Sequence, residues 1–365
     1  MSAGSGGTAA SSDGAGRGRW TEPGAHPVAP GVHRVPLPLP DDALRAVNVY
    51  FLEQPDGVAL IDSGWAMPAS LELLERGLAS LGHELGDVRQ ILVTHIHRDH
   101  YTQAVELRRL LGSRVYLGAG ERPSLERLLA LRNNVPVSSL QVLRRGGAAA
   151  LAHRIERYLL ATEWDASVWE PPDAWLTAGE HSAGDRTLRV IPTPGHTTGH
   201  VVFLDEAAGL LFAGDHVLPH ITPSIGFDLA DAGLPLGDFL DSLRLVATFP
   251  DAALLPAHGP VTASAHARVD ELLAHHDRRL GQALAAVGAR TIDAHEVARI
   301  LTWTRRETPF ADLDAFNQML AVSETAAHLD LLVARGLLVE QADDDGVARY
   351  AAALADADVA WSTRP

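Results

Sequence analysis

The sequence contains no cysteine among its 365 residues. Disulfide bonds and thiolate metal ligands are therefore excluded, and a metal ion could be held only by imidazole and oxygen groups. Basic residues are also scarce, with 30 Lys and Arg against 46 Asp and Glu and a formal net charge of -16. This balance argues against a general nucleic-acid or membrane-surface binder, because both kinds of partner are anionic.

Long hydrophobic runs are missing too. No apolar run approaches the roughly 18 to 20 residues that a membrane-spanning helix needs. Residues 1–25 are rich in Gly, Ser and Ala and lack the apolar core of a secretion signal. We therefore expect disordered tails over 1–25 and 353–365, and a cytoplasmic protein without a membrane partner.

Short apolar segments typical of buried strands recur through the first 260 residues, and amphipathic helices separate some of them. The predicted helices include Ser70–Leu81 and Thr102–Leu111. This alternation predicts an α/β layered domain, with some strands paired by hairpins and others connected through helices. The predicted strands cover residues 46–52, 57–61, 90–93, 115–117, 188–191, 201–204, 210–213 and 253–255.

Two segments depart from this pattern. Residues 121–180 hold a leucine- and arginine-rich helical run, and we interpret them as an inserted cover whose role is packing or substrate contact. Three helices followed by a hairpin form a winged-helix unit, which we predict for residues 263–352. The helical segments expected there are 265–287, 293–304, 313–322 and 324–335.

The most specific pattern is ILVTHIHRDH over residues 91–100. A strand that runs into a loop places alternate residues on one side, so that His95, His97 and Asp99 can converge. The side chain of His100 points in a different direction, because the chain turns there into the following helix. One short loop thus supplies four candidate metal ligands, an arrangement that chance rarely produces with 18 histidines in the chain.

Three later segments repeat the design of a strand followed by a turn with a metal-binding side chain. They are VIPTPGHTTGH with His196, LLFAGDH with Asp215 and ALLPAHG with His258. A glycine beside each candidate lets the backbone turn tightly and approach a crowded site. Each one alone is more often structural, but their order after the HIHRDH loop indicates one shared metal centre.

The segments HIHRDH, TPGHTTGH, GDH and PAHG, preceded by LIDSG, resemble the five ordered motifs of the metallo-β-lactamase superfamily. The resemblance implies a four-layer αββα sandwich with the metal ions at one edge of two sheets. We expect this metal hydrolase domain over residues 26–262. The C-terminal part resembles the winged-helix domain of the branch that includes β-lactamase-like protein 2.

The resemblance also implies the role of each predicted ligand. One divalent ion would be held by His95, His97 and His196, a second by Asp99, His100 and His258, and the bridge would be Asp215. Asp62 in LIDSG matches a buried aspartate that supports the ligand loop by accepting a hydrogen bond. Imidazole with carboxylate suits Zn²⁺ best, and Fe or Mn is compatible with the same ligands.

Two divalent ions would lower the pKa of a bridging water toward neutrality and so supply hydroxide as the nucleophile. Asp99 and Asp215 would be the catalytic carboxylates, with Asp99 orienting the nucleophile and accepting its proton. The resemblance implies hydrolysis of a small-molecule acyl substrate, a thioester first and a lactone second. His216 and His220 are candidates either for substrate contact or for structural hydrogen bonds.

Two other functions stay open. A pair of metal ions can also clamp a phosphodiester, which allows a single-strand RNA endonuclease, although the sequence shows no basic stripe for RNA. The other is a metal-domain sensor whose winged helix binds DNA, although the presumed recognition helix, SETAAHLDLLVAR, is acidic. Arg144 and Arg145 could meet an anionic acyl carrier or lie on a solvated helix face. A homodimer through the C-terminal unit is also possible.

Overall fold

The computed structural model describes residues 20–40, 44–135, 137–162, 164–229 and 233–353. Most of the two predicted tails lies outside these ranges. The described end of the N-terminal tail differs from the prediction, because Trp20 is buried and its carbonyl oxygen accepts a hydrogen bond from the Arg34 guanidinium. None of the helices in these ranges has the length and apolar character needed to cross a membrane.

The first of two large sheets contains seven strands that are neighbours in chain order. They are His26–Ala29 (β1), Val32–Pro38 (β2), Ala46–Gln54 (β3), Gly57–Ile61 (β4), Val88–Val93 (β5), Arg114–Gly118 (β6) and Ala174–Leu176 (β7). The first four pair antiparallel, whereas β4 to β7 are parallel neighbours. Parallel neighbours require crossovers, and helices lie in all three of them.

The second large sheet contains five strands, and neighbouring strands again follow one another in the chain. They are Gly179–Ala183 (β8), Arg186–Pro192 (β9), Val201–Asp205 (β10), Leu210–Gly214 (β11) and Ala253–Pro256 (β12). β8 to β11 pair antiparallel, and β12 pairs parallel to β11. Strands β1, β2, β7 and β8 were not predicted, and β7 and β8 take up the end of the predicted insert.

The helices lie between and after these strands. Their bounds are Pro68–Ser80 (α1), Arg98–Leu111 (α2), Arg122–Ala130 (α3), Val137–Arg145 (α4), Ala149–Leu160 (α5), Pro235–Val246 (α6), Ala265–Val287 (α7), Ala294–Ile300 (α8) and Ala315–Ala334 (α9). Two small hairpins complete the structure. They are formed by Thr302–Trp303 (β13) with Thr308–Pro309 (β14), and by Leu338–Ala342 (β15) with Ala348–Ala352 (β16).

The alternation of side chains along the strands produces four layers. In β3, Val49 and Phe51 pack in one apolar cluster with residues of α1 and α2, whereas Tyr50 and Leu52 pack against the second sheet. The second sheet has the same division, with one face toward the first sheet and the other toward α6 and the C-terminal helices. Burial of both faces of each sheet therefore gives an αββα arrangement.

The C-terminal helices share a core with the second sheet. Leu329 and Leu332 of α9 are fully buried in one cluster with Leu204 of β10 and Phe239 of α6. The two helices predicted between 313 and 335 are one helix, because neither Gly nor Pro interrupts that stretch.

The helical insert packs on α9 through α4 and α5. Arg145 forms ion pairs with Asp330 and Glu340, and Arg144 pairs with Glu156. Both guanidinium groups are thus engaged within the chain, and their contact with an anionic carrier stays a prediction. The ion pairs of Arg145 connect the insert to the C-terminal unit, whereas that of Arg144 lies within the insert.

Replacement of Leu329 by Ala tests whether α9 belongs to this shared core. We expect a loss of about 2–5 kcal/mol in the free energy of unfolding, because the substitution leaves a cavity in a packed interior. Urea denaturation followed by circular dichroism measures it. The control is Leu110→Ala on α2, where the leucine is 60% exposed and the expected change is within about 0.5 kcal/mol. Equal effects in both variants would contradict the shared core.

Candidate metal centre

Every predicted ligand lies just beyond the carboxyl end of a strand. The HIHRDH residues follow β5, His196 follows β9, Asp215 follows β11 and His258 follows β12. β5 belongs to the first sheet and the other three strands to the second. The sandwich therefore brings segments from both sheets to one edge.

Helix α2 begins at Arg98, four residues before the predicted start, so that Asp99 and His100 lie in its first turn. His97 is the N-cap residue with an extended backbone, and its carbonyl oxygen accepts the hydrogen bond from the amide of Tyr101. The turn between strand and helix thus occurs within the HIHRDH segment. Its first histidines extend from the strand end and its last two ligands from the helix.

Four of the predicted ligands form a first group, whose potential ligand atoms all lie within 4.8 Å of one another. Its members are His95, His97, His196 and Asp215. The Nε2 atom of His196 is 3.1 Å from Nδ1 of His97 and 3.5 Å from Oδ2 of Asp215. Three imidazoles and a carboxylate at this spacing form a typical four-coordinate set for a divalent ion.

Asp99, His100 and His258 form a second group of the same compactness. The Oδ2 atom of Asp99 is 3.5 Å from Nε2 of His100 and 3.4 Å from Nε2 of His258. The second carboxylate oxygen of Asp215, Oδ1, is 3.3 Å from Nε2 of His258 and 3.7 Å from Nε2 of His100. Asp215 therefore presents one oxygen to each group, as a bridging ligand must.

Outer hydrogen bonds fix the orientation of these rings. Nδ1 of His100 lies 3.0 Å from Asp62 Oδ2, Nδ1 of His196 lies 2.8 Å from the Ser224 carbonyl oxygen, and Nδ1 of His258 lies 2.8 Å from the Ala46 carbonyl oxygen. Each acceptor requires a proton on Nδ1 and so directs Nε2, the nitrogen that can bind a metal, inward. Such outer acceptors both orient and strengthen metal-binding imidazoles.

The inward atoms provide a direct test of whether a metal fits. Four of them are buried and have no hydrogen-bond partner among the described residues: Nε2 of His95, His100 and His258, and Oδ1 of Asp215. Burial of a polar atom without a partner costs free energy, so native proteins rarely leave several together. Divalent cations would satisfy all four, and the residues present therefore fit metal binding.

Asp62 takes the predicted supporting position at the end of β4. Its Oδ1 accepts hydrogen bonds from the amide and hydroxyl of Thr94, at 2.8 and 3.0 Å, while Oδ2 faces His100. Its φ of 59° lies in the left-handed region, which costs a non-glycine residue roughly 1 kcal/mol or more. The three hydrogen bonds offset this strain and connect the end of β4 to the ligand loop.

His200 belongs to the TPGHTTGH motif without a predicted role, and the structure places it directly behind the ligands. Its Nε2 accepts a hydrogen bond from the amide of Asp215 at 3.2 Å, and Nδ1 lies 2.9 Å from the Thr193 hydroxyl. Its ring stacks on that of His95 with centroids 5.0 Å apart. Burial holds its pKa well below the usual value, so the ring is neutral.

Glu121 connects two ligand loops and carried no recognisable signal in the sequence. Its Oε1 accepts hydrogen bonds from the amide of Ile96 at 3.3 Å and from the hydroxyl of Thr197 at 2.5 Å. Burial, helped by the neighbouring Asp228, raises its pKa to about 8. A Cβ atom on Gly199 would lie 2.0 Å from the Glu121 amide nitrogen, so glycine is required for this close approach.

Asn48 performs a similar task for the turn that carries His258. Its side-chain amide donates hydrogen bonds to the carbonyl oxygens of Pro256 and Gly259, at 2.9 and 2.8 Å. The buried Arg34 donates to the Asn48 side-chain oxygen at 2.9 Å. Side chains of the first sheet thus fix a ligand turn of the second sheet.

The two histidines predicted as substrate contacts have different environments. His216 is fully buried and packs against Phe239 with ring centroids 5.1 Å apart, and burial lowers its pKa to about 3. This burial favours the structural alternative for His216 over substrate contact. His220 is half-buried, and its ring lies near the glycine that follows His258. Its contact with substrate stays a prediction.

Comparison with known proteins is consistent with this geometry. Residues 42–258 match the family model described as the metallo-beta-lactamase superfamily, and residues 280–353 match the model described as its C-terminal domain. The chain is 24% identical over 317 residues to the probable metallo-hydrolase YqjP of Bacillus subtilis (strain 168), covering 82% of this chain and 91% of that protein.

Two solved structures are similar along most of the chain. A beta-lactamase domain protein from Burkholderia ambifaria has 31% identity and a TM-score of 0.73, with 90% of this chain and 93% of that chain covered. A metallo-beta-lactamase family protein from Thermus thermophilus has 29% identity and a TM-score of 0.72, with 89% and 99% covered.

Metal binding should release protons. Although burial acts in the opposite direction, the carboxylates of Asp99, Asp62 and Asp215 raise the pKa of His100 to about 10. At neutral pH the ring is therefore protonated before a metal binds, and a metal must displace that proton. We expect about one proton released per ion at this site, so that the affinity for Zn²⁺ rises about tenfold per pH unit between pH 6.5 and 8. Calorimetry in buffers of different ionisation enthalpy measures it, and a pH-independent affinity would contradict it.

Replacement of Asp62 by Asn tests the outer hydrogen bonds. Asparagine tolerates the left-handed backbone but removes the negative charge that faces His100. We expect the affinity for Zn²⁺ to fall about 10- to 100-fold, measured by competition with a chelating dye. Asp56→Asn, at an exposed position in the turn before β4, is the matched control and should leave the affinity unchanged.

Proposed function

Because the chain belongs to the metallo-beta-lactamase superfamily, we propose that this metal-dependent hydrolase uses two divalent ions to cleave a small-molecule acyl substrate, a thioester first and a lactone second. The position of Asp215 supports the dinuclear centre most directly, since its two oxygens face the two separate groups of ligands. Zn²⁺ suits the imidazole and carboxylate ligands best, and Fe or Mn is compatible with them.

When bound, the two ions supply a water of lowered pKa and polarise the carbonyl group that is attacked. The chain's own groups orient the reaction. Asp99 is 17% exposed at its side chain, and His97 is half-buried, so the open side of the centre lies at these two residues. Asp99 is therefore placed to orient the attacking water and to accept its proton.

We propose that the C-terminal unit, in which helices are followed by the β15–β16 hairpin, is a winged helix that supports the metal centre rather than binding DNA. A Cβ atom on Gly226 would lie 2.9 Å from the Ser323 carbonyl oxygen of α9, so the loop that contains Gly226 rests on this helix. Ser224 in the same loop accepts the hydrogen bond from His196. Most of α9 is buried, which leaves little of it for a DNA groove.

Replacement of Asp215 by Ala tests the proposed centre. For the wild type we expect near two metal ions per chain and turnover of acyl thioesters, with lactones next. The variant should lose metal and more than about 100-fold of the hydrolytic rate, because even changes outside the ligand shell cost 10- to 100-fold. Elemental analysis and a panel of thioesters, lactones and single-stranded RNA provide the measurements.

Asp241→Ala is the control, since that aspartate is 81% exposed on α6 and should change neither metal content nor rate. A wild type with two metals per chain that cleaves RNA but no thioester or lactone would refute the acyl substrate and favour the endonuclease. A wild type that binds no metal would refute the dinuclear centre.

A further inference from the structure

An arginine inside the ligand loop is surrounded by tryptophans. The guanidinium carbon of Arg98 lies 5.2 Å from the ring centroid of Trp65, 5.8 Å from that of Trp164 and 5.9 Å from that of Trp169. Trp65 follows β4, whereas Trp164 and Trp169 come from the insert. A guanidinium within about 6 Å of an aromatic ring is attracted to the ring face, and three such rings define its position.

Despite this enclosure, the Arg98 guanidinium makes no hydrogen bond and no ion pair with any described residue. Two other arginines of α2 differ, because Arg108 and Arg109 both pair with Glu170. A guanidinium carries five N–H donors in a planar fork that matches a carboxylate. The guanidinium of Arg98 is therefore a half-buried cation whose N–H donors are available to a ligand.

The position of this cluster connects it to the reaction. Arg98 lies between His97 and Asp99, the two partly exposed members of the metal-binding set, which mark the open side of the centre. Trp65 is three residues from Asp62, which holds His100, and the next residue, Ala66, donates its amide hydrogen to the Thr102 hydroxyl at 2.9 Å. The cluster is thus held beside the ligand loop by the segments that follow β4 and β5 of the first sheet.

We propose that Arg98 with Trp65, Trp164 and Trp169 binds a carboxylate at the far end of the acyl group, so that the substrate is a carboxyacyl thioester or a lactone bearing a carboxylate. This inference rests on the proposed hydrolytic function and names the substrate class. The tryptophans keep water away from the guanidinium, which strengthens a charge-assisted pair of hydrogen bonds. Their faces also suit the apolar part of an acyl chain.

The charge of the cluster favours a carboxylate over a phosphate. Among the described residues, the single cation that lies over the three rings is Arg98, and the carboxylate of Asp165 interacts electrostatically with it. One guanidinium balances a monoanion, whereas a phosphate dianion would be left with uncompensated charge beside Asp165. The cluster therefore distinguishes substrates by the charge and the shape of their distal group.

The kinetic test uses two thioesters of N-acetylcysteamine that differ in one group, the glutaryl thioester and its methyl ester. For the metal-loaded wild type we expect kcat/KM to be about 10- to 100-fold higher for the free carboxylate, through KM. Arg98→Gln should remove this preference, so that kcat/KM becomes about equal for the two thioesters, while Arg98→Lys should keep part of the preference. Two metals per chain in each variant would show that the ligand loop is intact.

The matched control is Arg114→Gln. Arg114 lies 5.4 Å from the ring of Tyr116 but begins β6, at the opposite end of the strand from the metal edge. It should keep the wild-type preference. Equal kcat/KM for the two thioesters in the wild type, or an unchanged preference in Arg98→Gln, would overturn the carboxylate site.

A binding measurement separates this inference from the proposed function. Hexanoate, but not hexanamide, should change the tryptophan fluorescence of the metal-loaded full chain. Arg98→Gln should lose that change, whereas a carboxylate that bound only to the metal would produce the change in both proteins. Hexanoate binding that depends on Arg98, with no thioester or lactone turnover, would refute the hydrolytic proposal and leave the site standing. Hexanoate binding that is equal in wild type and Arg98→Gln would overturn the site.

Discussion

Buried imidazole nitrogens need partners, and this need organises the edge where the two sheets meet. The outer nitrogens of His100, His196 and His258 face acceptors that belong to three separate segments of the chain, and each pairing sets the direction of the inner nitrogen. The inner atoms then converge on space where a cation, and no protein group among the described residues, can satisfy them. The ligand geometry is thus determined by the outer hydrogen bonds.

The outer partners could not be predicted as readily as the ligands. HIHRDH, GDH and PAHG repeat one local pattern, a strand followed by a turn with a metal-binding side chain, and local patterns are visible in a sequence. Asn48 and Glu121, in contrast, act on loops far away in the chain, and only the packing of the sandwich brings them there. Asparagine and glutamate side chains prefer a partner when they are buried, but nothing else about either residue type signals such a role.

The errors in the predicted elements have similar causes. The short strands β1, β7 and β8 are half-exposed and lack a clear apolar pattern. Helix α2 begins earlier than expected because the N-cap position is taken by His97, a residue without a strong capping preference. The role of His216 stayed open in the sequence because proximity to Asp215 in the chain says nothing about which way a side chain points once β11 has ended.

The insert and the C-terminal unit pack together and support the metal edge at two ends. At one end α4 and α5 pack on α9, and α9 in turn carries the loop whose Ser224 orients His196. At the other end the insert contributes Trp164 and Trp169, which enclose the guanidinium of Arg98. Residues outside the two sheets therefore contact the metal edge at two places. One contact is made to the ring of the ligand His196, and the other to Arg98, which lies between two ligands. A change in the packing of α9 should consequently reach the metal centre through His196 without any contact between the C-terminal unit and the substrate.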